Sequence, residues 1–177
     1  PDVGEEHLVE VHGAVDLAQR HEVARELDLI GEAARRLDRA EEEHLLRAPE
    51  AGAVDDVLRC NAALRRWLAR RAKEMLIPWL ERVSLQTGLC YADSAIKTQR
   101  TRWGSCSRQR RISLNSKLLF LPRELVRYVL VHELCHTLES NHSTRFWAIV
   151  RGYEPNTDQL HPRMREAWKR IPPWARE

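Results

Sequence analysis

A chain of 177 residues, 43% of them hydrophobic, can build one domain with a sizeable core, or one domain and an appendage. Its 31% charged residues, and the lack of any apolar run near the roughly 20 residues that span a bilayer, exclude a helical membrane protein. The acidic start PDVGEEHLVE has none of the zones of a signal peptide, so a cytoplasmic location is expected.

The first 48 residues hold no aromatic residue and no lysine, and Leu17, Val23, Leu27, Ile30, Ala33 and Leu37 recur at roughly helical spacing. APEAGA, residues 48–53, reads as a linker. The expectation is a helical N-terminal extension over 1–54 and a compact domain over 55–177, where every Trp, Tyr and Phe lies. Asp55–Asp56 is a candidate cap for a helix through Leu64, Trp67, Leu68, Ala72 and Met75. Pro78 should break or kink it and open a second helix through Trp79, Leu80 and Val83, with Gly88 as C-cap. Ala95–Trp103 and Arg111–Leu121 read as strands of an antiparallel hairpin or meander, joined by the turn chemistry of GSCSRQR. Pro122 then opens a helix over about Arg123–Glu139, apolar on most of its circumference and so buried and central. Two shorter helices follow, near Thr144–Arg151 and Asn156–Arg170.

Cys60, Cys90, Cys106 and Cys135 form no CxxC pair; free, mostly buried thiols are expected, with neither a cysteine zinc site nor a disulfide framework. The net charge is only +3, yet no acidic residue interrupts the stretch from Lys97 to Arg123, which carries eight positive side chains. A solvated basic surface is the plainer reading of it; a polyanionic partner such as nucleic acid is the other.

The chemistry concentrates in HELCHTLESNH, residues 132–142. His132 and His136 are four apart, so both imidazoles point from one helix face and can reach one ion. Glu133, about 100° round the helix, is set aside from the ligand face but within reach of a water held there: two ligands and a general base on one turn. A catalytic zinc needs a third protein ligand and an open position. His142 is the candidate, after a reversal that Asn141 tolerates, with Ser143 capping the next helix. Glu139 competes for the same place, or orients a ligand imidazole instead. Hydrolysis of peptide bonds is the reaction class this points to, with a phosphate-compound hydrolase and a nucleic-acid-associated zinc module as alternatives.

RWGSCS (102–107), ISLN (112–115), LVRYVLVHELCH (125–136) and NHSTRFWAIV (141–150) together resemble the YgjP-like metallopeptidase family, which is related to the SprT-like zinc proteases; the resemblance spans about Arg65 to Trp168. It implies an α+β fold, a small zincin-like domain of minigluzincin type, with a central active-site helix on a short antiparallel sheet. It also implies Zn2+ held by His132, His136 and His142, an HExxH-x5-H site, with Glu133 as base. The chain departs from the family in lacking basic N-terminal strands, in reading SRQRR where a Gly commonly follows the WGSCS turn, and in having Ser140 for a Pro before NHS. The strand with Arg102, Trp103 and Ser105 is expected to line the substrate cleft, since proteases often take a peptide as an added strand. Trp103 and Cys106 are more readily core residues, and Gly104 serves a bulge or turn. Cys135 is expected to be packing, and Phe146 and Trp147 to anchor the His142 turn; His161 has no partner at a telling spacing and receives no role.

Overall fold

The computed structural model of this chain describes residues 53–176. The expected N-terminal helices and the 48–52 part of the linker lie outside them. Helix α1 runs unbroken over Ala53–Thr87, so Asp55 and Asp56 lie within its range. Leu68, Ala72, Met75, Leu76, Trp79, Leu80 and Val83 are buried along one stripe at three- and four-residue intervals. Pro78 does not end this helix, contrary to expectation. A proline removes the N–H that would bond the carbonyl four residues back and costs about 3 kcal/mol in a helix interior. Here Pro78 and Glu74 both face solvent, so water can take that carbonyl while the buried residues on either side hold the axis. The helix stops at Gly88, whose φ of +70° is the left-handed C-cap conformation.

Three short strands follow: β1 (Asp93–Lys97), β2 (Gly104–Cys106) and β3 (Arg111–Asn115). Their order is β1-β3-β2. β2 and β3 form the expected antiparallel hairpin, pairing Gly104 with Leu114 and Cys106 with Ile112. β1 instead runs parallel to β3, from Asp93 opposite Arg111 to Lys97 opposite Asn115. The sheet is therefore mixed, and Ala95–Trp103 is not one strand. Residues 98–103 leave the sheet and carry the chain across the end of β3 to its other edge. Asn115 makes that crossing possible. It is fully buried, its amide nitrogen donates to the carbonyls of Gln99 (2.8 Å) and Arg102 (2.7 Å), and its backbone N–H donates to Trp103 O (2.9 Å). In the β2–β3 turn Arg110 has φ +57°, the left-handed position that glycine fills without strain.

After β3 the chain tightens into a 3-10 turn, Ser116–Phe120, where a longer strand was expected. Helix α2 (Arg123–Cys135) packs against α1, β2, α3 (Thr144–Tyr153) and α4 (Thr157–Glu166). It is the expected buried central helix, but it ends at Cys135, and Leu138 beyond it is 54% exposed. A second 3-10 turn (Ala167–Arg170) and α5 (Pro173–Arg176) close the described chain. The architecture is α+β, with α2 between the sheet edge and the later helices.

Candidate metal centre

His132 sits in the last turn of α2 and His136 is its C-cap residue. The reversal that follows is closed by hydrogen bonds from Thr137 and Leu138 N–H to Leu134 and Cys135 carbonyls. Ser143 then caps α3 by accepting from Phe146 N–H (3.2 Å). This path returns His142 to the first two histidines. Nitrogens of His132, His136 and His142 all lie within 4.8 Å of one another. Phe146, fully buried, packs against all three rings, and Trp147 stacks on His142.

The donor set fits a cation. His132 Nε2 and His142 Nε2 face each other at 3.0 Å, a separation at which one ion can take both lone pairs. His136 Nδ1 lies 3.1 Å from the Glu139 carbonyl, a contact that uses its N–H and leaves Nε2 as the free lone pair. The Glu139 main chain thus orients a histidine, and its carboxylate accepts from Asn141 N–H (3.4 Å); it stands outside the three-histidine group. His132 Nδ1 is buried without a hydrogen-bond partner among the described residues. Burial, then the neighbouring His136, His142 and His161, push the His132 pKa down to about 3, so the ring stays neutral and able to donate a lone pair.

Glu133 points from the same helix turn toward β2. It is buried, its Oε2 has no hydrogen-bond partner among the described residues, and burial pushes its pKa up to about 8, with the Arg102 guanidinium drawing it back. The approach to β2 is close: a Cβ on Gly104 would stand 2.6 Å from Glu133 Oε1. Gly104 is thus a contact residue for Glu133, a role its expected place in a bulge did not include. A cleft of about 500 Å³ opens over this group, walled on one side by residues 102–106.

Arg102, Trp103 and Ser105 all line that cleft. Trp103 also stacks on Trp168 with ring centroids 3.9 Å apart. Cys135 is buried packing as expected, but Cys60 and Cys90 are exposed and Cys106 half-buried, so the thiols are not mostly buried. The sequence reading missed Tyr128 and His161, which both border the cleft; only Tyr128's position one helical turn before His132 could have flagged either. Two members of the basic run are drawn into the protein. Lys117 is buried, its Nζ donating to the carbonyls of Gln99 and Arg176, and Arg123 packs over the Trp79 ring.

Comparison with known proteins gives three results. The description of the YgjP-like metallopeptidase domain matches residues 20–167. Among solved structures, the metallopeptidase zymogen abylysin of Pyrococcus abyssi is 25% identical, with a TM-score of 0.47 over 55% of this chain and 98% of its own. The metallopeptidase zymogen jannalysin of Methanocaldococcus jannaschii is 19% identical, with a TM-score of 0.45 over 51% of this chain and 94% of its own. No curated protein matches the chain.

Proposed function

The chain belongs to the YgjP-like metallopeptidase family, and we propose that it cleaves peptide bonds with a zinc ion held by His132, His136 and His142 and with Glu133 as general base. The observation that carries this is the convergence of the three imidazoles within 4.8 Å beside the buried carboxyl of Glu133. Three imidazoles with an open position are a common catalytic zinc set, and the ion would acidify water and polarise the scissile carbonyl. Glu133 takes the proton of the attacking water on Oε2 and hands it to the leaving amine as the C–N bond breaks.

β2 supports a peptide as the substrate. It is an edge strand, so the backbone groups of Gly104–Cys106 on the side away from β3 are open to an extended chain running along the cleft. Arg102, Trp103 and Ser105 would then contact the peptide's side chains and main chain. The basic run, two of whose members are drawn into the protein, lends no weight to nucleotides or nucleic acid as substrate or partner. No helix among the described residues is long and apolar enough to cross a membrane, and four free cysteines suit a reducing, cytoplasmic compartment.

Metal analysis and a peptide-cleavage assay test the assignment together. Glu133→Gln should keep zinc and fold while turnover falls by about 10²–10⁴. His142→Ala should lose most of the zinc and Glu139→Ala much less. Loss of zinc from the Glu139 variant alone would make His142 the wrong ligand. Cleavage of nucleotides, with peptides left intact, would replace the peptidase reading for this chain.

A further inference from the structure

His161 lies on α4 and borders the same cleft as the three-histidine group, 19 residues after the last of them. Its ring is held on two sides. Trp147 packs edge-on against it, with centroids 4.8 Å apart, while stacking on His142. The Tyr128 hydroxyl lies 2.9 Å from its Nδ1. Tyr128 is buried on α2, one turn before His132, and a phenol is a ready donor at neutral pH. When the hydroxyl donates, Nδ1 is the acceptor, so the proton of the neutral ring sits on Nε2. Among the described residues Nε2 has no hydrogen-bond partner.

A ring clamped at the rim of a hydrolytic cleft, with an Nε2 unused by the described residues, offers the kind of donor that a developing oxyanion needs. We propose that His161 is a second oxyanion donor, its Nε2–H directed into the cleft by the hydrogen bond from Tyr128 to Nδ1. Tyr128 is then a positioning residue. The proposal rests on the peptidase reading above, and it adds to that mechanism a protein group that shares the negative charge as the carbonyl becomes tetrahedral.

Amide replacements separate the two nitrogens. Gln can place a donor near the Nε2 position, and Asn can satisfy Tyr128 near the Nδ1 position without reaching the substrate. His161→Asn should lower kcat by about 100-fold or more with KM, metal content and thermal midpoint near those of the unmodified protein. It should also weaken a phosphinic peptide, which mimics the tetrahedral state, far more than the cleavage products. His161→Gln should recover most of kcat. Nitrogen-15 spectra of the metal-free protein should show the Nε2–H tautomer, lost in Tyr128→Phe.

Unchanged kcat in His161→Asn overturns the proposal, as does loss of metal or of thermal stability in both amide variants, or an Nδ1–H tautomer in the unmodified protein. Failure of the peptidase reading looks different: the unmodified, metal-loaded protein would itself leave peptides intact.

Discussion

Glu133 depends on an atom that another residue lacks. With a Cβ, position 104 would press on Glu133 Oε1, Cγ and Cδ at 2.6–2.9 Å, distances that real contacts do not sustain. Gly104→Ala must therefore displace either the carboxyl or the edge strand. Turnover is expected to fall by about 100-fold or more, the scale of a misplaced general base, while metal content stays near normal because the three histidines are untouched; parallel metal analysis and peptide cleavage check this. Glu133 also sets an alkaline limit on the metal-free protein. Its pKa is raised by burial to about 8 from its ordinary 4.5, so its contribution to stability is complete below pH 4.5 and is lost as pH rises through 8. His132, lowered by burial to about 3 from 6.5, acts with the opposite sign, its contribution being complete above pH 6.5 and lost as pH falls toward 3. In urea titrations of metal-stripped protein, Glu133→Gln should gain on the unmodified chain steadily between pH 5 and 8. A constant gap across that range would mean that Glu133 is not held in its neutral form.

Among the elements, the 98–103 crossing has the most consequence for the site, because it delivers β2 to the cleft. It is tied down by one side chain and one main-chain N–H of Asn115, and by Lys117 from beneath. Asn115→Ala leaves the carbonyl of Arg102 without its donor in a part-buried setting, and that of Gln99 with Lys117 alone. The expected cost is about 1–3 kcal/mol, that of one unsatisfied buried carbonyl; chemical denaturation measures it. Proteolysis between residues 98 and 103 should speed up in the same variant, and a uniform acceleration over the whole chain would show that Asn115 supports the core at large. α1 makes the complementary point. Its proline is tolerated because Pro78 falls on the solvent side of a helix already committed by seven buried residues.

At the scale of the whole molecule, the described residues hold both the three-histidine group and the core around it. α2 reaches the buried stripe of α1 on one side and α3 and α4 on the other. A chain beginning at Ala53 is expected to fold and bind metal with an affinity within about tenfold of the full chain; calorimetric titration of both decides it. An insoluble or metal-free product would assign residues 1–52 a part in the core and move the domain boundary toward residue 20, where the family match begins.

Several features were legible in the sequence because they are local. The spacing of His132 and His136, the apolar stripe of α1, the left-handed cap at Gly88 and the Ser143 cap each need only the geometry of one or two helical turns. His142 was legible at one remove, from the length of the reversal after α2. The tertiary structure alone decided the rest. Whether Lys117 joins a basic surface or is buried on carbonyls depends on Arg176, 59 residues away. The partner of His161 is 33 residues distant. The parallel placement of β1 depends on an asparagine that captures the connecting loop, and the setting of Glu133 depends on a missing side chain across the cleft. Periodicity reports which face of an element is buried. It does not report which other segment covers that face, because that is settled by the simultaneous packing of all of them.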